Sequence, residues 1–471
     1  MSEKTPKKVN PIKTPSPEQP AEQRICNFDE VALGYDEDMV KIEADRCLQC
    51  KKPACVAGCP VGIDIPEFIR FAACGDFENG YLSLKKYNAL PAICGRVCPQ
   101  ENQCEKFCVL GKKYEPVGIG RIERFLADWY LKQHNMRPKG EYKVDSDIKV
   151  AVVGSGPASI TCAGELVQAG YQVSVFEALH ILGGVMVYGI PEFRLPNDVI
   201  QAELNIIGDW GVKFEPNVLV GRTIELQELF ATGFKSIFLG TGAGLPYFLN
   251  IPGEYGIGIF SSNEFLTRVN LMRANRFPEY DTPLLPAKKV VVIGGGNTAM
   301  DSARISKRLK GMENVTIAYR RSLIEMPARI EEVHHAQQEG IDIQTLVAPV
   351  RYILNSDHRI AALELIKMKL GEPDDRGRCR PIPIEGSEYT IETDLVVVAV
   401  GQGPNPLLMR SNPEIETSKW GTIIVDERTM MTSMMGVFAG GDIVSGGATV
   451  ISAMGAGKIA SRAMIDYIVN S

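Results

Sequence analysis

Residues 149–159, Lys149-Val-Ala-Val-Val-Gly-Ser-Gly-Pro-Ala-Ser159, and the later Val173-Ser-Val-Phe-Glu177 decide the fold. Val150 to Val153 read as a buried strand, and Gly154-Ser155-Gly156-Pro157-Ala158 as a glycine turn that opens a helix. The helix runs through Ala169-Gly170 into a second strand that ends on an acid. That order is the βαβ dinucleotide fingerprint. Gly154 permits the tight turn, and Gly156 lets backbone N–H groups approach a pyrophosphate at the positive end of the helix. Glu177 is then placed to accept hydrogen bonds from adenosine ribose hydroxyls. The third glycine position holds Ser159, which should loosen helix-to-strand packing slightly and leave the phosphate chemistry intact.

A second fingerprint starts at Lys289-Val-Val-Val-Ile293 and continues through Gly294, Gly296, Asn297 and Thr298 to Asp301, with a strand at Val315 to Ala318. Where the first unit places Glu177, this one places Tyr319-Arg320-Arg321-Ser322. Arginines there can fork onto a 2′-phosphate that a carboxylate would repel, so NADP(H) is expected at this unit. Each charge-assisted bond is worth about 1.5–3 kcal/mol, so two would separate NADP from NAD by roughly two orders of magnitude or more.

The carboxyl terminus indicates which unit holds flavin. Glu392 to Gly401 reads as a buried strand returning to a sheet, and Gly436-Val-Phe-Ala-Gly440-Gly441-Asp442 presents an acid after a strand and a glycine turn. Asp442 suits a ribityl hydroxyl or the flavin phosphates. A helix starting near Ala448 and Thr449 would favour negative charge on a reduced isoalloxazine. Leu182-Gly183-Gly184-Val185-Met186 and Phe238-Leu-Gly-Thr241-Gly242-Ala243 supply further glycine turns to the first unit, which is therefore expected to bind FAD.

The chain has 471 residues, room for about three domains, and a net charge of −6, which gives no sign of a nucleic-acid surface. No apolar run approaches a membrane span, and residues 1–25 lack the apolar core of a secretory signal, so a cytoplasmic protein is expected. Five prolines among polar residues make that segment an extended arm, lying on the body or on a partner, or else a disordered tail.

Of 12 cysteines, nine fall between Cys47 and Cys108, a crowding that points to metal rather than disulfides. The spacing is Cys47-x2-Cys50-x4-Cys55-x3-Cys59-Pro60, then Cys94-x3-Cys98-Pro99-x4-Cys104-x3-Cys108. Eight thiolates suit two [4Fe–4S] cubanes, with a Cys-Pro closing part of each run as in ferredoxins. Zinc is the alternative, but zinc sites usually pair two Cys-x2-Cys knuckles and only one occurs here. Cys26, Cys74, Cys162 and Cys379 have no partner at metal spacing, and Cys74 and Cys162 are expected to be buried. The five histidines, His134, His180, His334, His335 and His358, form no nucleophile motif, and hydride transfer needs none.

The cysteine pattern, Gly118-Ile-Gly-Arg-Ile-Glu-Arg124, the first fingerprint and Tyr188-Gly-Ile-Pro-Glu-Phe-Arg-Leu-Pro196 together resemble the small subunit of bacterial glutamate synthase and the large subunit of NADH-dependent ferredoxin:NADP⁺ oxidoreductase. The first part is also similar to the amino-terminal half of dihydropyrimidine dehydrogenase. The resemblance implies one cubane on Cys47, Cys50, Cys55 and Cys108, and a second on Cys59, Cys98, Cys104 and Glu123, leaving Cys94 a non-ligand.

The resemblance also implies an α/β protein in which a helical bis-[4Fe–4S] domain precedes two Rossmann-like dinucleotide-binding domains, the FAD domain interrupted by the NADP domain. The expected divisions are 1–25 for the arm, 26–146 for the iron–sulfur domain, 147–270 and 401–471 for FAD, and 271–400 for NADP. Electrons would pass from NADPH to FAD, then to the Glu123-ligated cluster, then to the all-cysteine cluster. The leading expectation is a bifurcating complex, with ferredoxin and a smaller NAD-binding flavoprotein subunit as partners. The alternatives are a glutamate synthase small subunit feeding an amidotransferase, and an inactive electron-transfer scaffold.

Overall fold

The computed structural model describes residues 9–136, 144, 146–374 and 377–470. Residues 1–8 of the expected arm lie outside the described residues. The rest of the arm lies across the body. Gln19 N–H donates to Val31 O (2.9 Å), Val31 N–H to Phe193 O (2.9 Å) and Glu115 N–H to Pro11 O (3.0 Å). Arg24 pairs with Glu339 at 2.9 Å.

The amino-terminal domain is a set of short helices, each started by its own sequence signal. Asp36 caps Glu37–Ala44, Asp64 caps Ile65–Cys74 and Asp76 caps Phe77–Lys85, all by side-chain bonds to first-turn N–H groups. Gly75, at φ 75°, ends the second of these helices, as a left-handed terminator should. The long helix Ile119–Gln133 buries Ile122, Leu126 and Leu131 against them. Helix Pro91–Val97 crosses it closely, because a Cβ on Gly95 would stand 2.6 Å from Arg124 N. That crossing brings Glu123 beside the cysteines of residues 94–104.

Two five-stranded parallel sheets follow. The first has the order Val437–Ala439, Phe234–Leu239, Lys149–Val153, Gln172–Glu177, Lys213–Pro216. Its outer strand comes from the carboxyl terminus, so the domain is discontinuous. The second has the order Ile259–Ser261, Leu395–Val398, Lys289–Ile293, Asn314–Tyr319, Asp342–Thr345. Its edge strand, Ile259–Ser261, precedes the division expected at residue 271. An antiparallel insert of Val347–Leu354, Ile360–Pro373, Cys379–Pro383 and Tyr389–Glu392 was not anticipated from the sequence.

The terminal helix Val450–Asn470 packs along the fingerprint helix Pro157–Gln168. A Cβ on Gly457 would lie 2.2 Å from Ala158 O, so the approach is open only to glycine. Ser159, at the third glycine position, is accommodated from the other side. A Cβ on Gly240 would lie 2.1 Å from Ser159 Oγ, so the facing strand end requires a glycine. Among the described residues no helix is long and apolar enough to cross a membrane.

Candidate active site and metal centres

A cleft of about 560 Å³ opens at the carboxyl ends of both parallel sheets, where α/β folds place their ligands. From the first sheet it is lined by Gly154, Ser155, Gly156, Pro157, Ala158, Glu177, Gly184, Val185, Thr241 and Gly242. Gly441, Asp442, Ala448 and Thr449 line it from the carboxyl-terminal segment, Asn297 and Thr298 from the second domain, and Gly401 from the turn after strand Leu395–Val398. The two fingerprints thus share one space.

Five expected residues stand outside that lining. Gly183 donates its N–H to Ser155 Oγ (2.9 Å), behind the wall. Gly294, at φ 142°, passes so close to Ala399 O that a Cβ would stand 2.3 Å away, which is a packing requirement. Gly296 begins helix Asn297–Arg308 with no side-chain cap, and Arg320 and Arg321 follow the carboxyl end of strand Asn314–Tyr319.

The chain's groups fit two dinucleotides. Both fingerprint helices start at a glycine with no side-chain cap, which leaves first-turn N–H groups for a phosphate. Space for a Cβ is open at Gly156, Gly242 and Gly296, the positions where a pyrophosphate needs backbone approach. Ser155 N–H (2.8 Å) and Oγ–H (2.5 Å) both donate to Glu177 Oε2, and Leu179 N–H donates to Oε1 (2.8 Å). A carboxylate has about four acceptor positions, so Glu177 keeps capacity for ribose hydroxyls. Asp442 accepts from Ala448 N–H (3.1 Å), and burial raises its pKa.

Tyr188 also lines the cleft, its hydroxyl pushed up to about 12 by burial and then by Asp442 and Glu177. The sequence placed Tyr188 in a motif without giving it a role. In the same motif Arg194 grips Asp301 on the second fingerprint helix at 2.7 and 2.8 Å and reaches Glu332 at 3.0 Å. Arg304 and Arg308 lie over the Phe193 ring at 4.6 and 4.1 Å. The motif therefore fastens one nucleotide domain to the other.

The two arginines have different surroundings. Arg321 is buried and donates Nε–H to Cys379 O (2.8 Å), so the insert holds it. Arg320 is exposed and makes no ion pair among the described residues. Partial burial, then Arg321 and Arg378, lower its pKa, the signature of unneutralised positive charge.

Two small cavities gather the cysteines. The first is lined by Cys47, Cys50, Cys55 and Cys108, with Gln49 at a left-handed φ of 49° turning the chain between the first two. The second is lined by Cys59, Cys98, Cys104 and Glu123, and also by Cys94. The fold divides the eight thiols evenly, four to each cavity, and adds a carboxyl to the second that the bare count of cysteines does not include.

Burial pushes the Cys55 thiol up to about 11, with Cys108 and Cys47 adding their repulsion. Cys98 and Cys104 are raised too, Cys98 by Cys94 and then burial, and Cys104 by burial and then Glu105 and Glu123. Crowded soft donors that repel one another as anions suit a cationic iron centre, which deprotonates coordinating thiols outright. The Glu123 carboxyl is pushed up to about 8 by burial, against the bond it accepts from Asn88 Nδ2 (2.7 Å).

The cavities and the cleft abut. Val97 and Pro99 line the cleft while Cys98 lines the second cavity, and Val450 and Ala453 line the cleft while Ile451 lines that cavity. Ile65 and Ile119 line both cysteine cavities. All 12 cysteines are free. Cys162 is buried against Met464 as expected, but Cys74 is exposed, since it ends its helix on the outer face. No histidine lines the cleft among the described residues.

A helical cysteine-rich domain joined to two parallel-sheet nucleotide domains that share a cleft defines an NAD(P)H-dependent iron–sulfur flavoprotein reductase. The chain belongs to the pyridine nucleotide-disulphide oxidoreductase family, matched over residues 148–457, and within it to the family of glutamate synthase [NADPH] small chains. Residues 24–135 match dihydropyrimidine dehydrogenase domain II, 4Fe-4S cluster.

The chain is 36% identical over 455 residues to the glutamate synthase [NADPH] small chain of Azospirillum brasilense, covering 95% of this chain and 93% of that one. It is 34% identical over 459 residues to the same chain of Escherichia coli K12, covering 96% of each. FprA of Mycobacterium tuberculosis in complex with NADPH shares the fold, with a TM-score of 0.58 at 19% identity over 69% of this chain and 85% of that one. FAD, NADP(H) and [4Fe–4S] clusters are the cofactors of this class, and the protein is an NAD(P)H-dependent flavin oxidoreductase.

Proposed function

We propose that the chain oxidises NADPH and hands the electrons singly to a partner, as the large subunit of an electron-bifurcating NADH-dependent ferredoxin:NADP⁺ oxidoreductase. When bound, FAD takes electrons from nicotinamide in pairs and [4Fe–4S] clusters carry them one at a time. The observation that carries this reading is the succession of shared walls: cleft, Val97-Cys98-Pro99 and Val450 to Ala453, second cavity, Ile65 and Ile119, first cavity. In it Cys47, Cys50, Cys55 and Cys108 hold one cluster, and Cys59, Cys98, Cys104 and Glu123 the other. Gly154 to Ala158, Glu177 and Asp442 hold FAD, and Asn297, Thr298 and Arg320 hold NADPH.

Delivery to ferredoxin is supported by the surface over the first cavity. Lys51, Lys52, Lys106, Lys112 and Lys113, close in sequence to Cys50, Cys55 and Cys108, are exposed in a chain of net charge −6, with no ion pair among the described residues. Leu48, Phe107 and Val109 are 47%, 49% and 40% exposed beside them. Basic residues around an apolar centre suit an acidic one-electron carrier. The other electron would go to NAD⁺ through the smaller flavoprotein subunit.

The second reading is a glutamate synthase small subunit, supported by the near-complete coverage of two such chains. Anaerobic purification from the native source separates the two. A small flavoprotein companion, and turnover that needs NAD⁺ and ferredoxin together, support the first reading; an amidotransferase-sized companion supports the second. An inactive scaffold would leave the flavin oxidised on rapid mixing with NADPH, and the open glycine walls at Gly156, Gly242 and Gly296 speak against it.

A further inference from the structure

The second cavity offers one donor too many. Cys59, Cys94, Cys98, Cys104 and Glu123 all line it, and a cubane takes four protein ligands. The choice between Glu123 and Cys94 falls to the residue that touches both. Asn88 is fully buried, and its Oδ1 accepts from Leu90 N–H at 2.9 Å. A backbone N–H can only donate, so the amide cannot be reversed without setting donor against donor. Its Nδ2 is thereby turned to Glu123 Oε1 at 2.7 Å. Cys94 Sγ lies 3.7 Å from Asn88 Oδ1 and 3.5 Å from Met454 Sδ, two atoms that can only accept.

The geometry points to Asn88 as the positioning residue that selects the carboxylate of Glu123, and holds Cys94 aside as an S–H donor, when the second cluster binds. This rests on the two-cluster reading above. The donor side of one amide orients the anion that is to ligate. Its acceptor side, with Met454, presents the Cys94 sulfur with two acceptors and so keeps its S–H in the role of donor. Without Asn88 the two groups exchange: Cys94 forms the Fe–S bond as the Fe–O bond to Glu123 breaks, and the displaced carboxylate takes the thiol proton. Charge and protons balance within the cavity.

The test uses the full-length chain reconstituted anaerobically, with iron and labile sulfide counted and EPR recorded after dithionite reduction. Wild type and Cys94→Ala should each hold about eight irons and give the same second-cluster g-values. Asn88→Leu should keep its iron but shift those g-values and the midpoint potential of that cluster, and adding Cys94→Ala should abolish the new signal. Asn88→Ser is the milder variant if the leucine side chain prevents folding, with the same shift expected. A wild-type spectrum in the Asn88 variants, or loss of iron in Cys94→Ala alone, overturns the assignment. About four irons in wild type would instead remove the two-cluster reading on which it rests.

Discussion

Arg320 and Arg321 are adjacent in sequence and opposite in circumstance. Arg321 is spent on Cys379 O, while Arg320 faces solvent beside Arg378 with no carboxylate paired to it among the described residues. One charge-assisted bond is worth about 1.5–3 kcal/mol, so Arg320→Ala should raise KM for NADPH about 10- to 100-fold and leave NADH nearly unaffected. Arg321→Ala should leave the nucleotide preference in place and lower stability by about 1 kcal/mol. Steady-state kinetics with both nucleotides check the first, and thermal melts the second. At Glu123 the expectation is that Glu123→Ala changes one of two cluster EPR signals; two unchanged signals would remove it from the ligand set.

Much of this was readable residue by residue, because glycine turns and cysteine spacings report local backbone needs. Gly154, Gly156 and Asp442 fall where the strand-and-turn pattern put them. What escaped depends on contacts far apart in sequence. Nothing near Arg321 signals that the insert will reach back 58 residues to hold it, and nothing near Arg194 signals Asp301.

At the level of elements, the terminal helix matters most. Gly457 faces Ala158 O with no room for a methyl group, so Gly457→Ala must push two helices apart. Overpacking of this kind costs about 1–3 kcal/mol. The variant should melt lower than wild type and purify with less flavin, measured by absorbance per chain.

Helix Asn297–Arg308 shows the same dependence through charge. Arg308 and Arg304 hold the Glu339 carboxyl down to about 2 against the burial that would raise it. A folded pKa below the ordinary value of about 4.3 stabilises the fold above that value, and the contribution is lost as pH falls from about 4.3 to about 2. Denaturant unfolding of wild type should weaken across that window. Glu339→Gln should be less stable at pH 7 and show a shallower decline. The helix was visible in the sequence as a fingerprint, but its ion pairs were not, since Glu332 and Glu339 look like any solvated helical acids.

Over the whole molecule, charge is unevenly spread. The lysines near Cys50, Cys55 and Cys108 oppose the overall negative charge, so association with an acidic carrier should slow as ionic strength rises. Lys51→Glu with Lys106→Glu should lower the second-order rate of ferredoxin reduction at least about tenfold at low salt, and should not alter flavin reduction by NADPH in stopped flow.

The arm and the Phe193-Arg194 motif bind the second nucleotide domain to the rest through Arg24–Glu339, Phe193–Arg308 and Arg194–Asp301, and Arg329 reaches Gln100 Oε1 at 3.0 Å. A swivel of that domain would have to undo all four attachments together. The molecule is therefore built as a socket rather than a jaw: the nicotinamide slides in along a passage of fixed width, and soaking nucleotide into crystals should leave the lattice undisturbed.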